Sequence, residues 1–327
     1  MEFRAAEDRD IPAIVALLKQ SLGESLMPKS ERYWRWKHVE NPFGASPVLL
    51  CWEGDQLIGV RAFMRWEWTD RTRRYRAVRA VDTATHPGHQ GKGIFKKLTL
   101  ALVDSCTREG DHFVFNTPNE QSKPGYLKMG WTIAGRLPVN IGLERPFHML
   151  KNALLRPNGT AADENSSLSY YLDHPGLDAL LQEHLGRLDK LATFTSRAYL
   201  QWRYRDVPVA QYVAAGEEKN GLLTGLVIGR IKSSRLGREL RVTDCFLKND
   251  SDGKALKQSL RECKKQWAVD YVTVSGTVPA VAERLFPRYI KTSRGPVVTT
   301  RTLSLKNLEV LTNFNQWSPA LGDLELF

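Results

Sequence analysis

VDTATHPGHQGKGIFKKLTLAL, residues Val81–Leu102, sets a β-rich run, a proline turn, two glycines around a lysine and an amphipathic pattern in direct series. Ile94, Leu98, Leu102 and Cys106 recur every fourth residue, which predicts a helix with one apolar face. A strand feeding a side-chain-poor turn and then a helix N-terminus is a βα unit whose free backbone N–H groups form a cradle for an anion. The same glycines also serve a merely tight βα connection.

Outward from this unit, the N-terminal side predicts a strand at 2–6, then a helix starting at Asp10 and Pro12 with Ile11, Ile14, Val15, Leu18 and Leu22 on one face. Strands at 47–53 and 57–68 flank the turn EGDQ, and a strand at 76–85 enters the glycine turn. On the C-terminal side HFVFNTP reads as a strand, SKPGYLKMG as a short helix with Pro124 in its first turn, and WTIAGRLPVNIGL as further strand. The order β, α, β, β, β, α, β, α, β calls for an α/β (α+β mixed) fold, a mixed and mostly antiparallel sheet flanked by helices.

At 327 residues the chain is long enough for two domains of ordinary size. Hydrophobic residues make up 42% and charged residues 25%, as in a globular protein. No apolar run is long enough to span a bilayer, and the charged start MEFRAAEDRD lacks the apolar stretch of a secretion signal, so a cytoplasmic protein is expected. Cys51, Cys106, Cys245 and Cys263 stand apart, which suggests neither a metal site nor a disulfide framework. The net charge of +11 favours acidic partners. Arg71, Arg73, Arg74, Arg76 and Arg79 gather just before the opening stretch, where a solvated hairpin, an anion contact and single-strand nucleic-acid binding are all open readings.

The element order, with THPGHQGKGIFKKL and NEQSKPGYLKMGW, resembles the GNAT N-acetyltransferase superfamily over residues 1–145. In that family a Gln or Arg, two residues, a Gly, one residue and a final Gly or Ala form the phosphate loop. Gln90 and Gly93 fit it, and Phe95 departs at the final small position. The resemblance implies that the backbone of Gln90, Gly91, Lys92, Gly93, Ile94 and Phe95 holds the pyrophosphate of acetyl-CoA or another acyl-CoA, and that Thr83, Ala84 and Thr85 pair with the pantetheine amides. It implies that Asn119 holds the co-substrate and that Tyr126 protonates or steadies the departing thiolate. For the base that takes the amine's proton, Asp82 and Glu120 are the leading candidates, with Glu67, His86 and His112 behind them and water as an alternative. No metal is implied.

The second half echoes the first. YWRWKHVENP recurs as LQWRYRDVPV, which aligns Trp34 with Trp202, and QLIGV and VRAVDTATH recur as LLTGL and LRVTDCFLK. DGKALKQSLRECKKQW, with Ala255, Leu256, Leu260 and Cys263 at helical spacing, stands where the helix after the glycines stood, and NDSDGKAL replaces the cradle. Aligning Tyr289 with Trp131 puts Arg284 opposite Tyr126. The expected organisation is therefore an acyltransferase domain at 1–145, a connecting segment at 146–190, and a degenerate GNAT-like copy at 191–327 that helps to shape the acceptor pocket. The expected function is N-acylation of a primary amine on a small molecule by direct attack, with a protein lysine or N-terminus, or a non-catalytic binding role, as the alternatives. Expected partners are acyl-CoA and the amine, with neither nucleic acid nor a membrane span, and the oligomeric state is open.

Overall fold

The computed structural model describes residues 1–23, 28–155, 167–249, 253–275, 285, 289–292, 295–305 and 309–324. Two mixed sheets form, each covered by helices. The first runs β1 (Glu2–Ala5), β2 (Val48–Glu53), β3 (Gln56–Thr69), β4 (Arg74–Thr85), β5 (Phe113–Asn116), β14 (Val297–Thr302) and β6 (Thr132–Arg136), with β8 (Ala192–Thr193) also on β3. The second runs β13 (Tyr289–Thr292), β7 (Val139–Leu143), β12 (Tyr271–Ser275), β11 (Gly237–Leu247), β10 (Leu222–Ser234) and β9 (Val213–Lys219). Among the described strands, only β4–β5 and β11–β12 pair in parallel.

The two sheets exchange strands. β14, from the end of the chain, lies between β5 and β6 of the first sheet. β7, which follows β6 directly in sequence, lies between β12 and β13 of the second. The segment 139–143 thus belongs to the first half in sequence and to the second sheet in space, and 297–302 the reverse. The segment 146–190 holds three helices, α5 (Pro146–Leu155), α6 (Leu168–Asp173) and α7 (Leu177–Gly186).

Helix α1 (Ile11–Leu22) buries Ile11, Ile14, Val15 and Leu18 as its spacing predicts, while Leu22 at its last turn is exposed. Helix α3 (Ile94–Arg108) buries Ile94, Leu98, Leu102 and Cys106. Its first turn lies close on β3 because position 59 is glycine, where a Cβ would stand 2.6 Å from the Ile94 side chain. In α9 (Gly253–Gln266) Leu256 and Leu260 are buried, Ala255 is exposed and Cys263 is only partly covered. Cys51 and Cys106 are buried, and Cys245, like Cys263, is partly covered.

Helix α2 (Glu31–His38) is an element that the apolar periodicity does not announce. Its counterpart is α8 (Arg197–Leu200), which runs on as a wide helical turn over Gln201–Arg205. The structural register corrects the one expected from sequence: Trp36, not Trp34, answers Trp202. Ser30 and Ser196 each cap their helix by accepting from the backbone N–H of Tyr33 and Tyr199, at 3.1 and 3.2 Å, so the shared pattern is Ser-x-x-Tyr-x-x-Trp. The sequence match of the two tryptophan-basic strings is real and two residues out of step.

The largest apolar core lies between the halves and is rich in large rings, among them Trp36, Trp66, Trp68, Phe115, Tyr199, Trp202 and Trp317. No described helix is long and apolar enough to cross a membrane.

Candidate active site

β4 pairs with β5 only over Ala77–Arg79, so from Val81 onward its β5-facing edge has no strand partner among the described residues. A bulge marks the point of divergence. The β3–β4 register shifts between Arg61 and Ala62, with Asp82 as the extra residue at φ 32°. Backbone groups of Asp82–Thr85 on this side are therefore available to an extended ligand, as at any open strand edge. Ala84 is buried, and the Thr85 carbonyl accepts from Ser21 Oγ at 3.2 Å.

Beyond the strand, Gln90 is extended, and Gly91 and Gly93 take φ of 78° and 77°, the left-handed region that glycine adopts without strain. A Cβ on either would meet nothing within 4 Å. Gly93 begins α3 with no side-chain cap, so the N–H groups of the first turn point into open space with the positive end of the helix dipole. Lys92 contacts the His89 ring at 3.2 Å. The Phe95 ring packs edge-on to Tyr126 at 5.7 Å between centroids, against the core cluster beneath α3. The departure at Phe95 therefore leaves the loop open, and these residues fit a pyrophosphate.

Tyr126 lies on α4 (Lys123–Lys128), buried against Phe95 and Trp131. Its Oη accepts a 2.7 Å hydrogen bond from Arg61 Nη2. Asn119 accepts from Ser122 through both its backbone N–H and its Oγ, each at 2.8 Å, and so holds the entry to α4. Glu120 faces solvent in an ion pair with Lys123 at 2.6 Å, and none of its contacts links it to Asp82 or Tyr126.

Asp82 sits on the other side of β4, toward α2. Its Oδ2 pairs with Lys37 Nζ at 2.5 Å and with His38 Nε2 at 2.8 Å, while His38 Nδ1 contacts Ser46 Oγ at 2.9 Å. Burial opposes the Asp82 charge, but Lys37 and His38 outweigh it and hold the carboxyl well below its ordinary range. Burial also pushes His38 down, so the imidazole is neutral near pH 7 with both nitrogens engaged. A cavity of about 200 Å³ opens here, lined by Val15, Leu18, Ser30, Tyr33, Trp34 and Lys37 together with Lys29 and Asp82. A wider cleft of about 900 Å³ shares Ser30 with it and is walled mainly by the second half, through residues such as Tyr204, Arg205, Tyr212 and Arg230.

The other base candidates lie elsewhere. His112 Nδ1 accepts from the Arg76 backbone N–H at the far end of β4, and Glu67 lies 3.9 Å from Arg74 near the hairpin tip. His86 sits at the loop and contacts Gln20 at 3.0 Å. Of the arginine run, Arg79 is buried and donates to the carbonyls of Asp323, at 2.7 Å, and of Leu324. Arg61, Lys37 and His38 carry no motif. The one signal for Arg61 was a charge inside the apolar run QLIGVRAFM.

The second half keeps the frame of this site and changes its chemistry. Asp244 on β11 is buried, with Tyr204 donating to its Oδ2 where His38 meets Asp82. Arg203, in the place of Lys37, donates to Tyr212 Oη at 3.0 Å and to the Gly322 carbonyl at 3.1 Å. Burial and then the nearby Asp323 charge push the Asp244 carboxyl well up. The position expected opposite Tyr126, Arg284, and residues 250–252 of the loop NDSDGKAL lie outside the described residues.

Known proteins match this arrangement. Residues 2–134 match the family profile described as an acetyltransferase (GNAT) domain. Over 147 residues the chain is 32% identical to an L-methionine sulfoximine/L-methionine sulfone acetyltransferase of Salmonella typhimurium, covering 84% of that protein and 42% of this chain. It is 27% identical over 95 residues to the L-amino acid N-acyltransferase MnaT of Escherichia coli, covering 54% of that protein and 28% of this chain. Two solved structures share the fold across both halves. A probable N-acyltransferase of unknown function from Enterococcus faecalis superposes with a TM-score of 0.67 at 11% identity, over 93% of this chain and 73% of that one. A GCN5-related N-acetyltransferase from Anabaena variabilis gives 0.64 at 16% identity, over 92% and 73%. The chain belongs to the GNAT acetyltransferase family, with two sheets in tandem.

Proposed function

We propose that the protein is an N-acyltransferase that moves an acetyl or other short acyl group from acyl-CoA to the amine of a small, amino-acid-like molecule. The observation that carries this reading is the placement of a buried phenol, Tyr126, and a charged carboxylate, Asp82, on opposite sides of β4 where its edge is unpaired and the glycine loop begins.

Acyl-CoA supplies an activated thioester. The loop Gln90–Phe95 would hold its pyrophosphate and Thr83–Thr85 its pantetheine amides, which fixes the reach of the thioester along β4. The Tyr126 O–H, with its oxygen already occupied by Arg61, is free to donate its proton to the departing sulfur. From the α2 side Asp82 would accept a hydrogen bond from the incoming amine and aim its lone pair. A carboxylate held so far down is a weak base, so the proton released by the amine passes to water. Direct attack is favoured because burial raises the thiol pKa of all four cysteines, that of Cys245 to about 12.

A cavity of about 200 Å³ with Lys37 and Lys29 on its wall suits one amino acid, its carboxylate meeting the cations. The relatives named for methionine sulfoximine and L-amino acids support the same class. The adjoining 900 Å³ cleft favours acceptors that carry a longer tail, so short peptides are the second class to try. Thiol release from acetyl-CoA in the presence of L-methionine sulfone, other L-amino acids, amino sugars and short peptides tests the reading. Turnover confined to amino acids or peptides supports it, and inactivity on all of them overturns it.

A further inference from the structure

Arg61 is 1% exposed, yet the described residues give it no carboxylate. The buried arginines Arg79 and Arg203 are satisfied by carbonyls of the C-terminal residues. Arg61 instead spends one donor on Tyr126 Oη at 2.7 Å and one on the Val81 carbonyl at a long 3.3 Å, and its Nε has no partner. Its guanidinium lies over three rings, Phe63 at 5.0 Å, Tyr126 at 5.5 Å and Phe95 at 5.6 Å. A guanidinium cannot shed its proton, and a buried charge without a counter-charge is costly. Ring faces offset part of that cost and a single phenol oxygen a little more. The remaining deficit is one negative charge, beside the β4 bulge and the Tyr126 phenol.

We propose that Arg61 is a positioning residue for acyl transfer, a reading that rests on Tyr126 as the acid. By donating to Oη it directs the phenol's own proton away from the guanidinium and toward the sulfur. Its charge then meets two anions in turn. As the amine lone pair forms the N–C bond, the C–S bond breaks and its electron pair leaves on sulfur. The Tyr126 proton passes to that sulfur and leaves a phenolate beside Arg61, the amine's surplus proton goes to solvent, and the phenolate regains a proton from solvent. The counter-charge that the described residues do not give Arg61 is present only during turnover.

The test combines kinetics with a binding measurement. Arg61→Met keeps the length of the stem and removes the charge and donors, and folding should be retained because an apolar side chain suits the three rings. Its kcat should fall about 10–100-fold with KM for acetyl-CoA within about twofold of wild type. In a Tyr126→Phe background the same substitution should cost less than about threefold, because the two groups act as one unit. Calorimetry near pH 9, close enough to an alkyl thiol's pKa for a nearby cation to hold the bound thiolate, should show wild type binding coenzyme A more tightly than desulfo-coenzyme A and Arg61→Met binding the two alike. If Arg61→Met does not fold, Arg61→Gln is read by the same calorimetry. An undiminished loss in the Tyr126→Phe background, or a thiolate preference that survives without Arg61, overturns the proposal while leaving Tyr126 as the acid. Wild-type turnover by Tyr126→Phe removes the acid itself and the proposal with it.

Discussion

Trp36 and Trp202 each donate the indole N–H to the other's backbone carbonyl, at 2.7 and 2.8 Å, with their rings 4.7 Å apart and 13° from parallel. The reciprocity marks a pseudo-twofold relation between the halves. The two helices also share the capping serine, and their residues after the tryptophan, Lys37-His38 and Arg203-Tyr204, lie toward Asp82 and Asp244. Because α2 carries both Trp36 and the Asp82 partners, packing between the halves also positions Lys37 and His38 on Asp82.

Removing one member of the pair should therefore be felt at both levels. Trp202→Ala would empty a large, fully packed volume and remove the indole N–H that donates to the Trp36 carbonyl, a loss of roughly 3–5 kcal/mol by the usual scale for core aromatics. Trp202→Phe keeps most of the ring and loses one hydrogen bond, about 1–2 kcal/mol. Urea denaturation gives both values. A loss below about 1 kcal/mol for Trp202→Ala would show that the halves do not depend on this contact.

The strand exchange makes a second prediction. A fragment of residues 1–145 would lack β14 between β5 and β6, and its β7 would lack both neighbours. Each missing strand leaves a row of unpaired backbone groups. The fragment should show no cooperative unfolding by circular dichroism, whereas the full chain should unfold cooperatively. A cooperative transition in the fragment would show that the first half is complete by itself.

Much of this was legible in the sequence, and what was not had physical causes. Helix α3 declares itself through a four-residue apolar period and the loop through its glycines, since local geometry fixes both. Helix α2 does not, because Trp34 and Trp36 stand among cations and Trp36 finds a stacking partner and its indole acceptor in Trp202, far along the chain. The exchange is equally silent. VNIGL and VVTTRT alternate as strands whichever sheet receives them, and nothing local decides between two similar sheets. The sequence offers Asp82 as a candidate base, but its partners Lys37 and His38 come from a helix that the sequence does not announce, and they favour its charged form.

The contrast between Asp82 and Asp244 gives opposite pH dependences. A carboxyl whose pKa falls on folding, as for Asp82, contributes stability above its unfolded value of about 3.9 and loses it as pH drops through the folded value. A carboxyl whose pKa rises, as for Asp244, contributes while protonated, so its contribution is present below about 3.9 and is lost as pH climbs through the folded value. Asp244→Asn keeps an acceptor for Tyr204 and removes the titration. It should raise stability at pH 8 and change it little at pH 4, while Asp82→Asn should lower stability at pH 7. Denaturant midpoints at the three pH values decide the matter, and equal effects of Asp244→Asn at pH 4 and pH 8 would contradict the assignment.

The glycine cradle is testable without any acceptor. Acetyl-CoA should raise the melting temperature of the full chain, because a ligand bound only by the folded state stabilises it by mass action. In Gly93→Asp the new Cβ meets no atom of the protein within 4 Å, so the main structural cost is the strain of a non-glycine residue at φ 77°, about 1 kcal/mol. The carboxylate would stand where pyrophosphate is expected, and the thermal shift should vanish while the unliganded protein remains folded. A shift that persists in Gly93→Asp would place the phosphates elsewhere.

The sharpest prediction concerns the phenol itself. Tyr126→Phe removes one oxygen and keeps the ring contacts with Phe95 and Trp131, so packing should survive. It also strips Arg61 of its best acceptor, which should cost about 1–3 kcal/mol of stability, the usual scale for leaving a buried donor unpaired. Affinity for acetyl-CoA should change little, because the proposed pyrophosphate and pantetheine contacts lie on other residues. The kcat should fall by about 10²-fold or more with KM nearly constant, since a proton donated to the departing sulfur helps only in the transition state. Kinetics and calorimetry on the same preparation separate the alternatives. Lost stability with unchanged kcat would make Tyr126 a partner for Arg61 and nothing more, whereas lost kcat with retained affinity would identify it as the acid.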